Sequence, residues 1–190
     1  MDYNGERLGA KFGEIDAVML SHGHWDHAGG LTRAFDLISK QKLEKHSTPC
    51  YLHPDMFRQR GIANPNGDVF PIEKIPTPEE LKSHGAMPIL TKDPCSILED
   101  MFYISSEIER VTSYEKGFPN HKRKSLDESK WEPDPLIMDE RFLAVNVKDK
   151  GLVIFSACSH AGIVNVMKSA HKNLGEKIHA IVGIFTFLGL

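Results

Sequence analysis

The stretch that decides the fold is Asp16-Ala-Val-Met-Leu-Ser-His-Gly-His-Trp-Asp-His-Ala-Gly-Gly-Leu31. Ala17 to Leu20 is continuously apolar rather than alternating, which predicts a buried strand over 16–21. His22 and His24 follow two apart, where alternate side chains of an extended chain project to the same side. Asp26 and His27 fall in the turn into the next helix, near enough to face the same pocket. Imidazole and carboxylate suit zinc and other borderline divalent ions. Four donors within six residues can be shared between two adjacent ions, with a water between them as nucleophile. Gly23, Ala28, Gly29 and Gly30 supply the small residues such a tight turn needs. Chance assembly of H-x-H-x-D-H from this composition is expected about 0.002 times. A His-rich surface loop that binds nothing is therefore the weaker reading.

Downstream, Leu31, Phe35 and Ile38 share one face of a helix whose other faces carry Arg33, Lys40 and Lys42. Pro49 to Leu52 reads as a second strand, so strand, helix and strand form a βαβ unit with a parallel pair. Thr77-Pro-Glu-Glu80 has capping-box spacing with proline at the first helical position, and predicts a short helix to about His84 that stops at Gly85. Met101 to Ile104 is a further strand. Lys116 to Pro135 is polar, with basic residues at 121–124, and is expected to be an exposed loop. Arg141 to Val147 and Gly151 to Ser156 flank a hairpin-length connection. A helix from Ala161 to about Asn173 is expected to turn Ile163, Val166, Met167 and Ala170 inward and to end at Gly175. Ile178 to Ile184 reads as a last buried strand.

A second cluster, Phe155-Ser-Ala-Cys-Ser-His-Ala-Gly162, again runs from strand to helix. His160 at this junction is a candidate donor to the same pocket. Cys158 is either a thiolate facing metal or, as we favour, a small core residue. His53, in a turn before Pro54, is a candidate pocket residue. Glu107 and Arg110 are either pocket residues or a surface ion pair worth little. His46, His84, His121, His171 and His179 read as surface or partly buried side chains.

Composition narrows the function classes. The 190 residues suit one domain, spanning 1–190, with 41% apolar and 26% charged side chains typical of a globular protein. Lys plus Arg number 23 against 26 Asp plus Glu, so no basic excess points to nucleic acid. The run from Ala180 to Leu190 is too short to cross a bilayer, and no secretory signal opens the chain. Three cysteines without framework spacing suggest reduced thiols and a cytoplasmic setting.

The first motif resembles the signature of the metallo-β-lactamase superfamily. The similarity extends through Tyr51-Leu-His-Pro-Asp55, Ser106-Glu-Ile-Glu-Arg110 with Thr112 and Glu115, and Gly151 to Asn165. These stretches resemble its branch of metal-dependent hydrolases that includes 7,8-dihydropterin-6-methyl-4-(β-D-ribofuranosyl)aminobenzene-5′-phosphate synthase. The resemblance implies an α/β fold, an αββα sandwich, with a site for one or two divalent ions. Zinc is the expected metal; iron and manganese are alternatives. By the same resemblance His22 and His24 hold one ion, Asp26 and His27 the other, and His160 completes a sphere, most naturally the first. Asp26 would also orient a hydroxide or take a proton. The implied activity is hydrolysis or pterin-type transfer on a small-molecule substrate.

The family pattern also has some fifty residues ahead of the motif and a late His ligand where this chain has Thr186. We therefore expect a chain truncated at both ends, one tightly held ion and a weak second. A catalytically weak metal-binding fragment or splice product is the alternative function. A nuclease of the same superfamily is discouraged by the charge balance.

Overall fold

The apolar stripe on the first long helix and the strands beside it set the architecture of the N-terminal region. The computed structural model of the protein describes residues 2–44 and 46–184. In chain order its first elements are α1 (Asp2–Arg7), β1 (Val18–Met19), α2 (Trp25–Ala28), α3 (Leu31–Gln41) and β2 (Thr48–Leu52). Next come β3 (Arg60–Ala63), β4 (Val69–Pro71), α4 (Pro78–Ser83), β5 (Ala86–Leu90), β6 (Cys95–Ile97) and β7 (Phe102–Ile104). The last are β8 (His121–Lys124), β9 (Trp131–Pro133), β10 (Leu143–Val147), β11 (Gly151–Ser156), α5 (Ile163–Leu174) and β12 (Ile178–Gly183). The chain divides into two compact units, Met1–Phe57 with Glu73–Thr91, and Arg58–Ile72 with Lys92–Leu190.

In the first unit, β1, β2 and β5 form a parallel sheet, with Val18 opposite Cys50 and Cys50 opposite Pro88. Leu31, Phe35 and Ile38 of α3 pack with Cys50 and Leu52 of β2 and with Leu81 of α4. Each such fully buried large side chain contributes about 1.5–3 kcal/mol. The expected capping box is present: Thr77 Oγ1 accepts the Glu80 amide at 3.2 Å and Glu80 Oε2 accepts the Thr77 amide at 2.7 Å. The Thr77 amide, with the Thr77 hydroxyl beside it, favours the ionised Glu80 carboxyl and holds it below its ordinary value. Gly85, at φ +95°, follows α4 as expected for a helix stop. The predicted strand over 16–21 is shorter, since only Val18 and Met19 lie in the ladder.

The second unit holds two sheets. One runs β12-β11-β10-β7-β6, the other β4-β3-β8-β9. The predicted hairpin is present as the antiparallel β10–β11 pair, with Val147 opposite Gly151. Val166 and Ala170 of α5 pack with Leu152 and Ile154 of β11. Gly175, at φ +69°, caps α5 in the left-handed conformation.

Four expectations need correction here. Met167 does not point inward: it is 38% exposed, and Asn165 is buried in the α5 interface instead. Among the described residues, the strand at 178–183 lies at the end of its sheet with His179, Val182 and Gly183 exposed, not buried. The segment 116–135 is not simply an exposed loop, because it folds into β8 and β9. His121 within it is fully buried, its Nδ1 lying 3.0 Å from the Asp134 carbonyl oxygen. Its polarity hid the strand: Lys122, Arg123 and Lys124 are half-buried, and Lys124 Nζ lies 4.8 Å from the centre of the Trp131 ring.

Candidate metal centre

The first motif leaves the sheet at the carboxyl end of β1 and enters α2. Leu20 still donates its amide to the Tyr51 carbonyl at 3.1 Å, so His22 begins where sheet pairing ends. His24 is extended at φ −93°, ψ 144°, and is the residue preceding α2, with its carbonyl accepting the His27 and Ala28 amides. A bend at His22-Gly23, with His24 extended and helix following at once, folds three imidazoles back on one another. His22 Nε2 lies 3.0 Å from His24 Nδ1, and the His22 and His27 ring centres are 4.5 Å apart. Ser21 Oγ sits 3.0 Å from His22 Nδ1, which turns the opposite ring nitrogen toward His24.

This close fold depends on Gly23. A Cβ there would stand 2.4 Å from the Met56 carbonyl oxygen and 2.8 Å from its Cα. The motif therefore rests directly on the backbone of the turn that follows β2. That turn carries His53, fully buried, whose Nδ1 accepts the Asp55 amide at 3.1 Å. Asp26 differs from the imidazoles: its side chain is 74% exposed and its Oδ2 lies 3.5 Å from His27 Nε2.

The donor chemistry fits a divalent ion. Two nitrogens bound to one tetrahedral zinc at about 2.0–2.1 Å stand roughly 3.3 Å apart. The observed 3.0 Å between His22 Nε2 and His24 Nδ1 needs an opening of only a few tenths of an ångström. The contact at His22 Nδ1 is the outer-shell bond that ligating imidazoles usually make. His22 and His24 are both buried, at 0% and 8% exposure, so a cation there would be shielded from competing water.

The second junction belongs to the second unit. His160 and Cys158 are half-buried in the connection from β11 to α5. Ser159 takes the left-handed region at φ +51° and Gly162 lies at φ +88°. The backbone there is held by carboxylates from elsewhere in the chain. Glu140 accepts the His160 amide at 2.9 Å and the Ala161 amide at 2.6 Å. Glu115 accepts the Val164 and Asn165 amides, each at 2.8 Å. Asn165 Oδ1 in turn accepts the Val111 and Thr112 amides at 2.9 and 3.0 Å.

Burial pushes the Glu140 carboxyl above its ordinary value, against the pull of those two amides and of Arg110. Burial likewise lowers the Arg110 guanidinium, with Glu140, Glu115 and Asp139 pulling it back up. Arg110 donates to the carbonyls of Ile108 and Leu136, and Glu107 pairs with Lys92 at 3.4 Å. Sequence reasoning missed Glu140 entirely. Its one signal was a run of charged residues, Asp139-Glu-Arg141, immediately before an apolar strand.

A family model described as the metallo-beta-lactamase superfamily matches residues 2–99, more than half of the chain. The chain belongs to the metallo-beta-lactamase superfamily. Among curated relatives, it is 30% identical over 185 residues to a 7,8-dihydropterin-6-methyl-4-(beta-D-ribofuranosyl)-aminobenzene-5′-phosphate synthase of Methanocaldococcus jannaschii. That match covers 96% of this chain and 60% of the relative. An uncharacterized protein of the same organism is 29% identical, over 93% of this chain and 59% of its own length. The chain thus spans about 60% of the length of these relatives.

A crystal structure described as a metal-dependent hydrolase of the beta-lactamase superfamily superposes with a TM-score of 0.70 at 20% identity. It covers 95% of this chain and 60% of its own, and shows the metallo-beta-lactamase fold. Thr186 lies outside the described residues. Among those residues, no helix is long and apolar enough to cross a membrane.

Proposed function

We propose that this chain carries the metal-binding core of a metal-dependent hydrolase, or of a pterin-type transferase, acting on a small molecule. The observation that carries the reading is the His22 Nε2–His24 Nδ1 approach of 3.0 Å inside a superfamily motif. His22 and His24 bind a divalent ion, zinc by preference. His27 and Asp26 are donors toward a second ion, and His160 is a further ligand. An ion so held supplies Lewis acidity, bringing the ionisation of water toward neutral pH. Asp26, with most of its carboxylate exposed, orients that water or takes its proton. His53, in the turn after β2, is a further candidate contact beside the first junction, and Cys158, Glu107 and Arg110 are candidate contacts within the second unit. A cytoplasmic setting completes this reading.

The pterin-type alternative rests on the 30% identity to a synthase whose product name includes a 5′-phosphate. The test is metal retention after dialysis against chelator, with hydrolysis of model esters and phosphodiesters by the zinc-loaded protein. Retained zinc that disappears in His24→Ala, together with zinc-dependent hydrolysis, supports the proposal. Equal metal content in wild type and His24→Ala contradicts the ligand assignment.

A further inference from the structure

Two carboxylates grip the segment between β11 and α5, and they do different things. Helix α5 starts at Ile163, and its first turn leaves amides without intrahelical acceptors. Glu115 takes two of these, Val164 and Asn165, at 2.8 Å each, in the manner of an N-cap supplied from a distance. The helix start is thus served without Glu140. Glu140 instead reaches the amides of His160 and Ala161, which precede the helix.

Placing a carboxylate at 1% exposure carries a desolvation cost that two backbone hydrogen bonds only partly offset. The segment it holds is also conformationally demanding. Ser159, next to His160, is a non-glycine residue at φ +51°, and Gly162 lies at φ +88°. Left to itself, such a segment has several backbone routes and therefore several directions for the His160 side chain. The carboxylate is anchored at its own base as well. The Glu140 amide donates to the Ile137 carbonyl at 3.0 Å, and the adjoining Arg141 is buried and donates to the Asp93 carbonyl at 3.0 Å.

We propose that Glu140 is a positioning residue: it fixes the backbone of His160 and so aims that imidazole at metal. This rests on the reading above that His160 is a ligand. Glu140 holds the His160 backbone rather than its ring, so its effect is expected near the low end of the 10–100-fold that partners of a ligating imidazole ring carry.

The test is a double-mutant cycle read by zinc affinity, with thermal unfolding of the metal-free protein measured alongside. Glu140→Gln is nearly isosteric but keeps one acceptor oxygen, so only one of the two amides remains satisfied. Zinc affinity should fall about tenfold or more in Glu140→Gln. In a His160→Ala background, adding Glu140→Gln should change affinity by no more than about twofold. Glu115→Gln is the structural control: it should lower the unfolding temperature with zinc affinity kept within about twofold. Should Glu140→Gln fail to fold, Glu140→Asp, which retains the charge on a shorter arm, is read in the same way.

Equal losses from Glu140→Gln with and without His160 would overturn the proposal, since the carboxylate would then act elsewhere. Loss in His160→Ala but none in Glu140→Gln would overturn it while leaving the ligand reading intact. No loss in His160→Ala would sink the ligand reading itself.

Discussion

The two strand-to-helix junctions, 21–30 and 156–165, are built in opposite ways. The first is local. Its imidazoles are brought together by backbone conformation within six residues, and Gly23 packs on the turn after β2. The second is held from a distance, by Glu140 twenty residues upstream and Glu115 about fifty upstream. A junction of the first kind is specified by a short motif, whereas one of the second kind needs several separate segments to be in place. Damage should therefore stay confined at the first and spread at the second.

The largest test of this contrast uses the glycines. In Gly162→Ala, a Cβ would stand 2.1–2.5 Å from the Glu115 side chain and take φ +88°. The substitution combines strain with displacement of the carboxylate from α5, and should cost on the order of 3 kcal/mol. Gly23→Ala meets the Met56 backbone and should cost about 1–3 kcal/mol with loss of zinc. Chemical denaturation measures both, and a larger cost for Gly23→Ala would reverse the contrast.

Removing the distant cap alone is the next step down. Glu115→Ala leaves the Val164 and Asn165 amides without their acceptor, an expected loss of about 0.5–2 kcal/mol. Hydrogen exchange should quicken across the first turn of α5 and stay unchanged in α3. Faster exchange in both helices would show that the two junctions are coupled.

Cysteine reactivity sharpens the comparison further. Burial pushes the Cys50 thiol, in β2 beside the first junction, up to about 12. At pH 8 it is almost wholly protonated, and its labelling by iodoacetamide should await unfolding. Half-buried Cys158, at the second junction, should label in the native protein. Peptide mapping decides, and native labelling of Cys50 ahead of Cys158 would contradict the burial.

The smallest effect is expected where a hold is both local and exposed. Asp127, in the β8–β9 turn, accepts the Ser129 amide at 3.1 Å and the Ser129 hydroxyl at 2.8 Å. Hydrogen bonds from Ser125 and Ser129 lower its carboxyl to about 2. A depressed folded value places this contribution above the ordinary carboxylate range, with loss as pH falls through about 2. Asp127→Asn, which keeps one acceptor oxygen at this fully exposed position, should lower stability at pH 7 only slightly and flatten its acid limb.

The same contrast explains what could be read from sequence. His22, His24 and His27 were legible because they lie within six residues of one another, at the bend between a strand and a helix. The α3 face, the Thr77 capping box and the β10–β11 hairpin were likewise legible as local patterns. Glu140 was not, since a carboxylate buried against amides twenty residues away leaves no local pattern. Nor was β8, where charged side chains occupy half-buried positions and the apolar alternation that marks a strand is absent. Met167 was misread because the inward position on α5 goes to Asn165, whose amide side chain ties the helix to Val111 and Thr112.

The central claim is that His22 and His24 ligate one ion through the nitrogens that stand 3.0 Å apart. X-ray absorption on the protein loaded with one equivalent of zinc tests it most directly. The account predicts nitrogen neighbours at about 2.0–2.1 Å with imidazole scattering behind them, and one imidazole fewer in His24→Ala. An unchanged imidazole count in that variant, or zinc held by oxygen donors alone, would contradict it.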